Sequence, residues 1–336
     1  MTDSTVSGSP PVPTARRIDC HVHLVGDGSS GSGCWVGMAS PHRRLISHVM
    51  LLEAGVPPRV LGRDLDACFE RRLVEQVRES DLDAAVLLAQ DLPHTDRGEP
   101  LPGKAGFYVP NDHLLAVCDR HPGLFIPAVS IHPARPDALE ELDRCVARGA
   151  RVVKLLPNCL GIDYADRRYH PFWEKMAAAG LILLSHTGGE MTLPVIEPRF
   201  ADPRLLATPL DCGVTVIAAH AAGRSGLWDP DYTHELIALF ARYPRLYADN
   251  SALSSLNRSH TIAKVLRTDV LERIIHGSDF PVPVGGFGPW HRGHIDWRTW
   301  QESRRDRHPL QRDLRLKRAM GFPPACETRL DALLSR

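Results

Sequence analysis

Eight short apolar runs, separated by segments with helical periodicity, constrain this chain more than any other feature. They are Ile18–Leu24, Leu82–Ala89, Leu124–Ile131, Arg151–Leu156, Leu181–Ser185, Val214–Ala219, Arg245–Ala248 and Leu271–His276. Each has strand length and most are apolar on consecutive positions, the pattern of parallel strands buried on both faces. Between them apolar residues recur every three or four positions. Arg63–Ser80 carries Leu65, Phe69, Leu73 and Val77 on one face, and His42–Ala54, Asn111–Arg120, Tyr169–Ala179, Asp202–Leu210, Asp231–Arg242 and Thr261–Arg267 read as further helices. Asp137 with Glu140 is a capping-box pattern ahead of a helix striped by Leu139, Leu142 and Val146 and ended by Gly149. Strand–helix alternation of this kind predicts an α/β fold, a (β/α)8 TIM barrel, with Leu310–Arg336 as a C-terminal helical extension. The alternative is an open doubly wound sheet. It would normally place a glycine-rich phosphate turn after the first strand, and here His21 and His23 occupy that place.

The 336 residues suit one such barrel, expected over residues 16–336 behind a Ser/Pro/Gly-rich tail, residues 1–15, read as disordered and lacking a signal-peptide pattern. Lys plus Arg and Asp plus Glu balance at 40 each, so no net field invites nucleic acid or an anionic membrane. No apolar run approaches the roughly 18 residues of a membrane helix. The eight cysteines are scattered and form no CxxC, which points away from a zinc knuckle or disulfide framework and toward a reducing cytoplasm. The expected partner is a small-molecule substrate, with homo-oligomerisation left open.

Barrel enzymes carry their chemistry at the C-terminal ends of the strands. In a strand, residues i and i+2 share a face, so His21 and His23 lie about 6.6 Å apart on one side, close enough to bind one ion through two imidazoles. Strand four carries Lys154, strand five runs into His186, strand six into His220, and strand eight into Asp279. Each alone reads as a satisfied structural polar group; together they converge as a divalent metal site requires. Tyr247, Asp249 and Asn250 follow strand seven and are placed on the floor of the site. Asp163 and Asp166 are read as part of a solvated loop.

The motifs DCHVH, VVKLL, SHTGG, AAHAAG and HGSDFP, spread over Ile18 to Pro281, resemble the amidohydrolase superfamily, most closely its amidohydrolase family 2 branch of metal-dependent hydrolases and decarboxylases. The resemblance implies His21, His23, His186 and Asp279 as metal ligands, with Asp279 also the general acid/base. It implies His220 as a ligand to a second ion or as the group that polarises the substrate. It places Lys154 where dinuclear members carry a carboxylated lysine bridging two ions. An unmodified ammonium has three donors and no acceptor, so Lys154 is either that carbamate or a group turned elsewhere. Decarboxylases of the branch generally lack this lysine.

The chemistry expected is hydrolysis of an amide, lactone or other carboxylic ester by a water activated on Zn2+, or Mn2+, with one or two ions. A metal-dependent decarboxylase or hydratase on the same site is the second reading, and a metal-free binding barrel the third. The Gly/Pro/aromatic segment from Pro281 to Trp300 is expected to loop over the mouth, where Trp290, His291, Arg292 and His294 could meet substrate, with Arg292 as a carboxylate clamp. His132, ending strand three, is placed at pocket height, a structural role being the other reading.

Overall fold

Alternate residues of each strand face two different apolar cores, and that division builds the barrel. The structure is a computed structural model that describes residues 15–37 and 41–335, except the side chain of His42. The expected tail therefore lies outside the described residues apart from Ala15. Eight parallel strands lie side by side in chain order: β1 (Ile18–His23), β2 (Ala84–Leu88), β3 (Phe125–Val129), β4 (Val152–Leu155), β5 (Ile182–Ser185), β6 (Thr215–Ala218), β7 (Leu246–Asp249) and β8 (Ile274–Ile275). The amide of Cys20 donates to His276 O (2.9 Å), that of His23 to Phe280 O (2.8 Å) and that of Asp279 to His21 O (2.9 Å), so the last strand meets the first. Helices stand between consecutive strands, among them Leu65–Arg78, Asn111–Arg120, Ala138–Ala147, His170–Ala178 and Thr233–Phe240. This is a TIM barrel, and Pro309–Met320 and Ala325–Leu334 are its C-terminal helices.

The inner core is Ile18, Cys20, Val86, Leu88, Ile126, Val152, Ile182, Leu184, Ile217, Tyr247 and Ile275, with Leu330 of the last helix packed against it. Leu330 plugs the end at which β1 begins, where Arg16 Nε meets Asp331 Oδ1 at 2.9 Å. The outer core places the alternate residues, such as Val22, Leu87, Val153, Leu183 and Val216, against helix faces carrying Phe69, Leu73, Leu114, Leu142 and Trp173. Each fully buried aliphatic or aromatic side chain stabilises this packing by about 1.5–3 kcal/mol.

Two local expectations are corrected. Asp137 does not cap its helix; its carboxylate takes Arg135 Nε and Nη2 at 2.9 and 2.8 Å, because a charge-assisted fork outcompetes a backbone amide. The eighth strand is shorter than its apolar run, since Leu271 ends the helical turn Thr268–Leu271.

One irregularity positions the site. On β1, Asp19 pairs with Ala85 but Val22 pairs with Leu87, so Cys20 and His21 together oppose Val86. This bulge reverses the alternation. Ile18 and Cys20 join the inner core, Val22 joins the outer core, and His21 and His23 turn toward the mouth of the barrel.

Candidate metal centre

Inward alternation carries β4 from Val152 to Lys154, β5 from Ile182 and Leu184 to His186, and β7 from Tyr247 to Asp249. The other two groups are delivered by left-handed turns: His220, Ala221 and Ala222 have φ of 59°, 47° and 55°, and Asp279 has φ of 68°. Such conformations cost an L-residue about 1–2 kcal/mol each and persist only where neighbours over-determine them. Here the His220 amide donates to Asp249 Oδ1 (2.7 Å) and the Asp279 amide to His21 O (2.9 Å). Arg258, fully buried, donates to Gly189 O (2.6 Å) and Gly223 O (2.8 Å), tying together the loops that carry His186 and His220.

Asp249 decides which nitrogens are available. Its carboxylate can only accept, so His21 Nδ1–H donates to Oδ2 at 2.8 Å and His21 Nε2 keeps its lone pair. Ser251 donates its hydroxyl to Asp249 Oδ1 and must therefore accept from His220 Nδ1 at 2.8 Å, which leaves His220 Nε2 unprotonated as well. Burial, reinforced by the Lys154 charge, brings the His21 pKa down to about 4. Burial and the charge of Arg258 hold His186 and His220 well below the ordinary range. All three imidazoles are thus neutral at pH 7, the form that binds a metal.

Asp279 Oδ1 lies 3.2 Å from His21 Nε2 and 3.4 Å from His23 Nε2, and Oδ2 lies 4.0 Å from His220 Nδ1. Burial raises the Asp279 pKa, but His21, the bond from His23 and the charge of Lys154 more than reverse this and hold it below its ordinary value. The carboxylate oxygen and the His21 lone pair are two acceptors at hydrogen-bond distance, an arrangement that requires a cation between or beside them. Lys154, fully buried, supplies one: Nζ is 3.1 Å from His21 Nε2. His186 Nε2 is buried without a hydrogen-bond partner, 3.7 Å from Glu190 Oε2, and His23 Nδ1 is likewise unpaired. Ligand atoms of His21, His220 and Asp279 lie within 4.8 Å of one another. The His186 and His220 rings stand 5.1 Å apart, as do those of His21 and His220. Neutral imidazoles, one carboxylate and an orphaned ring nitrogen fit a divalent ion, with His21, His23, His186, His220 and Asp279 as the residues that would hold it.

All six predicted strand-end groups line one cleft that opens to solvent. The predicted rim does not. Trp290 stacks on Trp300 at 4.5 Å, His291 stacks on Phe287 at 5.9 Å, and Arg292 Nε donates to Ser259 Oγ at 3.0 Å. The aromatic residues of this segment pack on one another at the surface, away from the cleft; from 281–300 only Pro281 and Val282 reach the lining. His132 is also outside the lining. Its Nε2 donates to Leu160 O (3.2 Å), its Nδ1 accepts from the Ala134 amide (3.1 Å) and its own amide donates to Asp91 (2.8 Å), a structural arrangement. Sequence reasoning missed Glu190, Ser251 and Arg258 and placed Asp249 only as floor. The inward parity of Asp249 with Tyr247 was the available signal; nothing local marks Arg258.

A family model described as amidohydrolase (Amidohydro_2) matches residues 18–298. No curated protein matches the chain. Similar solved structures include an uncharacterised TIM-barrel protein from Bordetella bronchiseptica, with TM-score 0.62, 17% identity and 95% of this chain and 99% of that one covered. A putative 2-pyrone-4,6-dicarboxylic acid hydrolase from Pseudomonas putida has TM-score 0.53 and 16% identity, covering 96% and 98%. A 2,6-dihydroxybenzoate decarboxylase from Rhizobium has TM-score 0.52 and 13% identity, covering 96% and 99%. At these identities the neighbours speak for the fold alone. The family match spans most of the barrel and every histidine and carboxylate of the candidate site, and the chain belongs to the amidohydrolase family.

Proposed function

We propose that the chain is a metal-dependent hydrolase that opens an amide, lactone or other carboxylic ester bond, with Zn2+ as the expected ion and Mn2+ as its substitute. The observation that carries the proposal is Asp279, whose ionised carboxylate meets His21 Nε2 and His23 Nε2 at 3.2 and 3.4 Å. A divalent ion held there supplies a water acidified from a pKa of 15.7 to about 7, and positive charge for the oxyanion. Asp279 accepts the proton of the attacking water and returns it to the leaving group. His220 was expected either to bind metal or to polarise the carbonyl. With its Nδ1 proton given to Ser251, its Nε2 has no proton to donate to an oxyanion, which favours the ligand role. The apolar walls of the cleft keep bulk water from the reacting bond.

The position of Lys154 supports hydrolysis over decarboxylation. Its amine is sealed inside the site against His21, where dinuclear members of the family carry a carboxylated lysine, and we assign it that role. All eight cysteines are unpaired, seven of them buried, in keeping with the reducing cytoplasm we propose. The test is a pH-stat assay of Zn2+- and Mn2+-loaded protein on lactones, esters and amides, beside carbon dioxide release from hydroxybenzoic acids. Hydrolysis without carbon dioxide is the expected result; carbon dioxide release without hydrolysis would overturn it in favour of a lyase.

A further inference from the structure

The cleft is polar mainly at its base. Above Asp279 and the histidines its walls come from segments far apart in sequence. Val36 and Phe107 belong to the two short antiparallel strands Trp35–Val36 and Phe107–Tyr108. Ile46 and Met50 lie on the helix Pro41–Glu53, Leu193 on the loop after β5 and Val282 on the loop after β8. All six line the cleft and are only half-buried, so each leaves apolar surface facing the space where substrate must sit. Phe107 sets its ring at 77° to that of His23, with centroids 6.1 Å apart, so apolar wall begins directly at the metal centre.

Polar side chains above the base are few. Thr192 gives its hydroxyl to Glu190. Arg43 and Ser47 lie one turn apart on the helix Pro41–Glu53, on one side of the mouth. Among the described lining residues the lysine and arginine side chains are Arg43 and Lys154, and both already have partners, His21 in the case of Lys154. A substrate with several carboxylates would set at least one of them against aliphatic side chains, and an unpaired charge in such surroundings is strongly unfavourable.

Resting on the hydrolase reading, we infer that the substrate is a hydrophobic ester, lactone or amide. Its alkyl or aryl body fills the walled part of the cleft, and it carries no more than one anionic group. Multiply carboxylated lactones, the class named for the Pseudomonas putida neighbour, are excluded.

Two measurements test this. In the first, calorimetry with and without Zn2+ compares straight-chain monocarboxylates from butanoate to decanoate, the acids that hydrolysis would release, with glutarate and propane-1,2,3-tricarboxylate. Affinity should rise about fourfold per methylene until the cleft is filled, and octanoate should bind more tightly than either multi-acid. Met50→Lys should flatten the rise; Val36→Asn serves the same purpose if that variant does not fold. A flat series in wild type, or tighter binding of a multi-acid, overturns the inference. The second measures hydrolysis of 4-nitrophenyl esters of the same acids. A rising binding series with no ester or lactone cleaved keeps the substrate class and removes the hydrolase reading. Cleavage with no dependence on chain length does the reverse.

Discussion

Asp249→Asn should separate the ligand role of His21 from that of His220. The native carboxylate accepts five hydrogen bonds: His21 Nδ1 and, weakly, the Cys20 thiol on Oδ2, and the His220 amide, the Ser251 amide and the Ser251 hydroxyl on Oδ1. An amide has one acceptor oxygen and one NH2. Turned so that NH2 replaces Oδ1, it would face three donors; turned so that NH2 replaces Oδ2, it faces two, one of them the weak and rotatable S–H of Cys20. The second arrangement is favoured, and it confronts His21 Nδ1–H with a donor. His21 must then move its proton to Nε2, the nitrogen 3.2 Å from Asp279, and lose its lone pair for the metal. Loss of one buried charge-assisted hydrogen bond costs about 1.5–3 kcal/mol of stability. Loss of an outer-shell orienting group costs about 10–100-fold in metal affinity, or about 1.4–2.8 kcal/mol. Competition against a chromophoric chelator measures the affinity, and 15N shifts of the His21 ring report the tautomer. A variant with affinity within about threefold of wild type and an unchanged His21 tautomer refutes the reasoning.

The double substitution His21→Ala with His23→Ala should abolish bound metal by elemental analysis, since both Nε2 atoms meet at Asp279 Oδ1; full occupancy would overturn the ligand assignment. Asp279→Asn should retain the wild-type circular dichroism while kcat falls by more than the roughly 10²–10⁴-fold of proton transfer alone; near-wild-type kcat would remove it as acid/base. Protein purified with bicarbonate and excess Zn2+ should hold two ions per chain, and Lys154→Ala one, with partial rescue by short carboxylic acids; one ion in both proteins would make Lys154 a substrate contact. Far from the site, burial raises the pKa of Asp231, but bonds from His260, Lys264 and Thr233 hold it far below the usual carboxylate range. Its stabilisation is therefore full above the unfolded pKa of about 3.9 and is lost as pH falls below that toward the folded value. Asp231→Asn should lower urea-measured stability by about 1–2 kcal/mol at pH 7, allowing for partial exposure, and by less at pH 3; an equal loss at both would contradict the linkage.

Some of this architecture is legible because local physics and global fold agree. The helix Asn111–Arg120 matches its expected limits, with Pro110 before it and buried Leu114, Leu115 and Cys118 at helical spacing. His21, His23, Lys154, His186, His220 and Asp279 could be gathered from sequence because parallel strands in a barrel bring all their C-terminal ends to one face. The mouth could not be gathered this way. Trp290 and Arg292 looked available, yet their partners Trp300 and Ser259 take them elsewhere, and the walls come instead from Val36, Met50 and Phe107. Loop positions depend on contacts distant in the chain, which periodicity does not encode.

The sequence by itself determined the barrel and the set of chemical groups at its open end, because strand-length apolar runs on consecutive positions have few other ways to be buried. Only the tertiary structure decided how those groups act. The offset between β1 and β2 at Cys20–His21 turns both histidines inward alongside Ile18 and Cys20, which a strict two-residue alternation would forbid. Asp249, more than two hundred residues away in sequence, fixes the His21 tautomer directly and that of His220 through Ser251. Whether a nitrogen offers a proton or a lone pair depends on which acceptor its ring meets, and that meeting exists only once the barrel closes.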